Sequence, residues 1–499
     1  MKKKSLLLTI GASLLSLGCL SGCNLSNELI VVWVGSESVE YYRKVAKDFL
    51  AKNPGFGSKI SIIGADTGSA AGEMQKDNTA CGDIITVAHD NIGKLSQASL
   101  IAPIVDEELL AQINADNPES FKGVINNNLG NDDTISYTFG VPYISQALFL
   151  YYDKTAVRDT EADTFEGLQA AAKRYDAEHG VTGTKAVTVT GTDGFNFSFT
   201  LLARDITHGN TTKLRLYEGT NRWDCYNQTN DNVAIMKWAQ RFTADTNGLM
   251  LETTSRWESD IQGHKALSLI GGAWHYNSFK EAIGVENMGC KIIPTFTLSA
   301  KDVEGIQDVK YPNDVNLPEE LRGTVDKAPE EGTVFRGGSY VDCKCFVINM
   351  NALTSADQAE EKYSQICKVL QYFSSKEVQN QSFIEALNVP AYAGADEFIE
   401  STHGQVEETA YLMATAQTGM SIYGIPQPFI NGTLNTNYYS KGTPDMYKNC
   451  IFKKNNSGAD VQGIRKVLWS MEYVWKRSTT PQATPETLPY QTTDKYPQS

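Results

Sequence analysis

Apolar and polar positions along the chain alternate between two periods. Glu28 to Val34 is a short apolar run rich in β-branched residues, which predicts a buried strand. Tyr42, Val45, Ala46, Phe49 and Leu50 then recur at helical spacing, predicting one apolar helix face with Ser38 as N-cap and Pro54-Gly55 as the stop. Lys59 to Gly64 predicts a second strand, Thr67 to Asp77 a weaker helix, and Asp83 to Ala88 a third strand. Strand and helix in strict alternation imply right-handed crossovers and a parallel sheet covered on both faces. After a turn-rich stretch over 126–133, two further strands are expected, Thr134 to Pro142 and Gln146 to Tyr152. They are read as joined around Gly140-Val-Pro142, where the chain would cross between domains. A second alternation follows, with a strand over Ala186 to Thr190, helices over Phe197 to Arg204 and Val233 to Phe242, and a strand over Ala266 to Ile270.

The region 299–332 is polar and irregular, carries Pro312, Pro318 and Pro329, and reads as a surface insertion. Asp460 to Trp475 is the last strongly helical segment, and 479–499, with four prolines and no periodicity, reads as a mobile tail.

The N-terminus suggests a compartment. Lys2, Lys3 and Lys4 precede a short apolar run ending in Leu20-Ser21-Gly22-Cys23. A basic start, a short apolar core and small residues are the marks of an export signal, too short to span a bilayer. The closing four residues resemble the lipobox of bacterial lipoproteins, which implies a signal peptide over 1–22, acylation of Cys23, and attachment to the outer face of the bacterial cell membrane.

Composition narrows the function. A chain of 499 residues has a prior of two or three domains at roughly 150 residues each. With 41% hydrophobic and 21% charged residues it can build ordinary cores. A net charge of −15 argues against a nucleic-acid partner, whose phosphates call for Lys and Arg, and fits a neutral or cationic ligand better. Nine cysteines spread over this length are no small disulfide scaffold. Cys343 and Cys345 lie in a strand-like run and should point to one face as small buried hydrophobes, with no metal site expected. Motifs for serine hydrolases, zinc proteases, P-loop enzymes and dinucleotide binders are lacking, and no catalytic residue, cofactor or enzyme activity is expected.

Ligands of open α/β sheets bind beyond the carboxyl ends of strands. Three such ends carry suggestive residues: Glu37 after the first strand, Asp90 after the third, and Trp274 to Tyr276 after the strand at 266–270. Carboxylates accept hydrogen bonds from hydroxyls, while aromatic rings pack on the apolar face of a sugar ring. Taken singly, Glu37 and Asp90 also fit helix N-caps, and Trp274 also fits core packing.

Several stretches occur in the order found in a known family: Leu29 to Val34, Gly82 to Asp90, Gly140 to Lys154, Thr164 to Leu168, Ala266 to Trp274, and Ile292 to Phe296. In these the chain resembles the extracellular solute-binding proteins of ABC importers, most closely the maltose/maltodextrin-binding group. The resemblance implies a two-lobed, periplasmic-binding-protein-like α/β fold with a hinge and a central ligand cleft. It implies an N-terminal lobe from 23–144 and 333–377, and a C-terminal lobe from 145–332 and 378–478. By the same resemblance Asp90 and Glu37 would hydrogen-bond sugar hydroxyls and Trp274 would stack on a glucosyl ring, with Tyr276 in place of a second tryptophan. Gln146 stands where the group has a glutamate, and Asn196, beside Phe195, stands where it has a stacking tyrosine. Tyr438 would substitute for its last stacking tryptophan.

The expected function is a lipid-anchored monomer that captures a carbohydrate, such as a maltodextrin, and delivers it to the permease subunits of an ABC transporter. A non-sugar solute binder on the same scaffold, a surface glycoside hydrolase and a structural adhesin stay open as alternatives.

Overall fold

Leu29–Val34 form strand β1, in which Ile30, Val32 and Val34 are fully buried. Helix α1, Val39–Lys52, buries Tyr42, Val45, Ala46 and Phe49 on the side that the spacing predicts. Ser38 holds the N-cap position, but its hydroxyl accepts a hydrogen bond from Asn388 Nδ2 at 3.0 Å and does not close the helix. Strand β2, Lys59–Gly64, runs parallel to β1. Helix α2, Ala70–Asp77, starts later than Thr67 because Asp66 first holds a turn, accepting from the Gly68 amide at 3.0 Å. Strand β3, Ile84–Ala88, pairs in parallel with β1 on its other side, so the expected alternation is present. The computed structural model describes residues 29–128, 136–190, 196–208, 215–216, 223–224, 229–250, 256–313, 322–353, 359–419, 422–424 and 460–468.

Strand β4 is Ile101–Ala102, and β5 is Gly140–Gln146. The break expected at Gly140-Val-Pro142 is therefore a continuous strand. Pro142 has no N–H for the ladder, and the strand meets this with a register shift that leaves Tyr143 without an opposite residue. The chain leaves the first compact unit after Gln146.

The second unit opens with β6, Phe149–Asp153, and α3, Phe165–His179. Thr164 caps that helix by accepting from the Gly167 amide at 2.9 Å, and Gly180, at φ 64°, ends it in the left-handed region. Strand β7, Val187–Val189, follows. The helix expected over 197–204 is split into Ser198–Leu201 and Ala203–His208. Helix α4, Asn230–Ala244, β8, Leu249–Met250, β9, Ser268–Gly271, α5, Tyr276–Ile283, and β10, Met288–Lys291, complete the layer. The sheet order is β8-β7-β9-β6-β10, with β7, β8 and β9 parallel and β6 antiparallel to β9. Beneath it Trp238 stacks on Phe296 at 3.9 Å between ring centroids, and Phe165 and Phe242 close around them.

The described part of 299–332 is tied to this unit through two of its carboxylates. Asp302, buried on the short helix Ala300–Val303, accepts a bidentate pair from Arg241 of α4 at 2.7 and 3.0 Å. Asp326 accepts from the Asn230 amide and from the Tyr311 hydroxyl, each at 2.8 Å, which ties the ladder Val309–Lys310 with Val325–Asp326 to the start of α4.

Strand β11, Ser339–Asn349, returns to the first unit and lies antiparallel between β3 and β5, with β4 at its far end. Cys343 and Cys345 are fully buried on one face of it, their sulfurs 3.6 Å apart. Helices α6, Ala359–Phe373, and α7, Lys376–Ala386, follow. The first unit continues to Phe398, beyond the expected limit at 377. The reason is packing on α1: the Tyr41 hydroxyl donates to Val378 O, Lys44 pairs with Glu385, and Asn388 reaches Ser38. Within the expected helix Asp460 to Trp475, residues 461–468 are helical and 469–475 lie outside the described residues, as do the expected signal segment 1–22 and the expected tail 479–499.

Candidate functional site

Candidate side chains gather at one edge of each sheet. In the first unit β1 and β3 are parallel neighbours, so the turns after them open on the same edge. A 3-10 turn, Ser36–Ser38, carries Glu37 exposed at the end of β1, and a second, His89–Asn91, carries Asp90 half-buried at the end of β3. Asp90 Oδ1 accepts from Asn91 Nδ2 at 2.8 Å, and the neighbouring His89 accepts from the Cys343 amide at 3.3 Å. Gln146 ends β5 half-buried, opposite Asp342 of β11. Because β3 and β5 are both antiparallel to β11, Gln146 shares this carboxyl edge with Glu37 and Asp90.

In the second unit β7 and β9 are parallel, which brings the turns after them to one edge. Asn196 accepts from the Thr190 hydroxyl just past β7, at 3.0 Å. Trp274 stands in the 3-10 turn Ala273–His275 after β9 and is 43% exposed, unusual for so large an apolar ring. The Gly271-Gly272 pair permits this turn: a Cβ on Gly272 would lie 2.1 Å from the indole, and one on Gly271 would lie 2.6 Å from His275 Nδ1. The Tyr151 hydroxyl donates to Gly272 O at 3.0 Å and fixes the turn from below.

Tyr276 does not share the exposure of Trp274. It is buried at the start of α5, and its hydroxyl bonds Glu407 at 3.0 Å and Thr409 at 2.7 Å. Burial, with Glu407 adding to it, holds its phenol above the ordinary pKa. Phe195, Tyr438 and Cys23 lie outside the described residues.

Sequence reasoning gives His275 no role of its own within the run Trp274 to Tyr276 and does not single out Trp257. The His275 ring meets the buried Trp257 edge-on at 5.1 Å and Trp274 at 5.2 Å, and burial pushes its pKa down to about 4. The Gly-Gly pair ahead of two consecutive aromatic side chains was the available signal. Among the described residues no three His, Cys, Asp or Glu side chains group as metal ligands. The edge in the first unit offers hydrogen-bond acceptors suited to hydroxyls, and the edge in the second offers an exposed indole suited to an apolar face.

A maltodextrin-binding protein of L. casei BL23, determined without ligand, is 16% identical with a TM-score of 0.61, covering 91% of this chain and 99% of that one. A maltose-binding protein of Listeria monocytogenes, solved with maltose, is 17% identical with a TM-score of 0.61, covering 92% and 99%. MalX of Streptococcus pneumoniae, solved with maltopentaose, is 16% identical with a TM-score of 0.59, covering 90% and 99%. At such identities the likeness is one of fold, and it bears out the expected periplasmic-binding-protein-like α/β architecture. No curated protein matches the chain by sequence. The family model described as bacterial extracellular solute-binding protein matches residues 44–395. The chain therefore belongs to the bacterial extracellular solute-binding protein family, whose members are binding proteins and not enzymes.

Proposed function

We propose that this solute-binding protein captures a neutral oligosaccharide of the maltodextrin class and, as a monomer anchored through an acylated Cys23, delivers it to an ABC permease. The observation that carries the sugar reading is Trp274: a large indole 43% exposed at a strand's carboxyl end, where α/β sheets place their ligands. Stacked on a pyranose it would cover the sugar's C–H face, while Glu37 and Asp90 accept from hydroxyls. Gln146 and Asn196 supply further polar contacts at the two edges. The maltose and maltopentaose named for the similar structures support the same ligand class.

Calorimetric titration with maltose to maltopentaose, beside melting of the free protein, tests this. Removing about 100 Å² of buried indole surface costs roughly 2.5 kcal/mol, so Trp274→Ala should weaken binding about 10- to 100-fold. Asp90→Ala, which removes a charged acceptor worth about 1.5–3 kcal/mol, should act similarly. The free protein's melting temperature should stay unchanged in both variants. No binding by any maltodextrin, or affinity indifferent to both substitutions, would overturn the assignment.

A further inference from the structure

Trp274 lies against its neighbour in sequence, His275. The His275 amide donates to Gly272 O at 3.0 Å, and the ring returns to the same residue, with Nδ1 accepting from the Gly272 amide at 3.3 Å. Backbone and side chain of His275 thus clamp Gly272 from both of its polar groups. The imidazole is walled by the edge-on Trp257 at an interplanar angle of 74° and by Trp274 at 54°. The indole is folded back over Gly272, where three of its carbons come within 2.1–2.5 Å of the place a Cβ would occupy.

We propose that His275 is a positioning residue for Trp274, holding the indole in one orientation before any ligand arrives. This rests on the reading of Trp274 as the stacking ring and deepens it. Accepting from Gly272 requires a neutral Nδ1, and burial keeps the ring neutral well below its ordinary pKa. A side chain ordered in advance has less rotamer freedom left to lose on binding, so affinity rises without a new contact to the ligand. His275 need never touch the solute.

The test compares His275→Ala, His275→Asn and Gly272→Ala in the full chain, with Trp274→Ala as reference. Asparagine Oδ1 can accept in place of Nδ1. Gly272→Ala is tolerated by the backbone, at φ −108° and ψ 179°, yet displaces the indole. Maltotriose affinity, Trp274 emission and acrylamide quenching (by difference against Trp274→Ala), and the free protein's melt are read for each. His275→Ala and Gly272→Ala should raise quenching of Trp274 and weaken maltotriose about fivefold, and His275→Asn should return affinity to within about twofold. Unchanged emission and affinity in His275→Ala, or a lowered melt with Trp274 emission unmoved, would overturn the proposal. If His275→Ala fails to fold, His275→Asn and Gly272→Ala carry the same readouts. The two readings fail separately. Trp274→Ala without effect on affinity, while His275→Ala still loosens the indole, sinks sugar stacking alone. Weak binding in Trp274→Ala with nothing changed in His275→Ala sinks positioning alone.

Discussion

Gly271 and Gly272 leave out two side chains, and two rings, His275 and Trp274, take their places. A methyl group at either position would meet His275 Nδ1 or the Trp274 indole well inside contact distance. The same arrangement makes His275 a stability sensor. Its folded pKa of about 4 lies below the ordinary 6.5, so the unfolded chain takes up the proton first. The stability it contributes is complete above pH 6.5 and is lost as pH falls through 6.5 toward about 4. In urea unfolding, wild type should therefore lose up to ~3 kcal/mol relative to His275→Phe as pH falls over that window, and the two should run parallel above pH 7. Parallel curves throughout would show that the ring protonates as readily in the fold as in the unfolded chain.

Among elements, those whose residues carry their own period were legible. β2 has the limits read from sequence, because Lys59–Gly64 is an apolar run bounded by turn residues. The apolar stripe of α1 is where its spacing put it. What a helix packs against is a long-range fact that local pattern does not contain. Nothing between Lys376 and Ala386 announces that Tyr41 and Lys44 will meet it, so α7 was given to the other lobe. Trp274 was legible as a candidate because a glycine pair after a strand leaves room there. His275 was not, because its role depends on Trp257 from a separate helix. The polar stretch 299–332 differs from its expectation for a related reason: two of its carboxylates, Asp302 and Asp326, face partners on α4 and not water. Asp302→Ala should accordingly cost about 2 kcal/mol, since it strands the Arg241 guanidinium and opens the capping box with Ser299. Urea unfolding measures this as a lowered midpoint at constant slope, and a loss below about 0.5 kcal/mol would return the segment to the status of a surface loop.

At the scale of the whole molecule, the family places the protein outside the cell, and the proposed anchor would keep it there. Cys23→Ser should abolish acyl labelling and leave an unprocessed or released chain, as fractionation of membrane and medium would record. Persistent labelling in that variant would show that a residue other than Cys23 carries the acyl group. The chain threads its two units through β11, the strand paired with both β3 and β5. That pairing sets a timetable. β3 and β5 are made before residue 147, but the strand that joins them does not begin until residue 339. Until then the first sheet has two bare edges where its middle should be, and an edge without a partner is an invitation to the wrong one. A chain exported from its N-terminus, as proposed, therefore could not finish its first unit until most of its second had followed. The second unit has its own sheet, β6 to β10, complete by residue 291. The half of the protein that emerges first is the half that must wait.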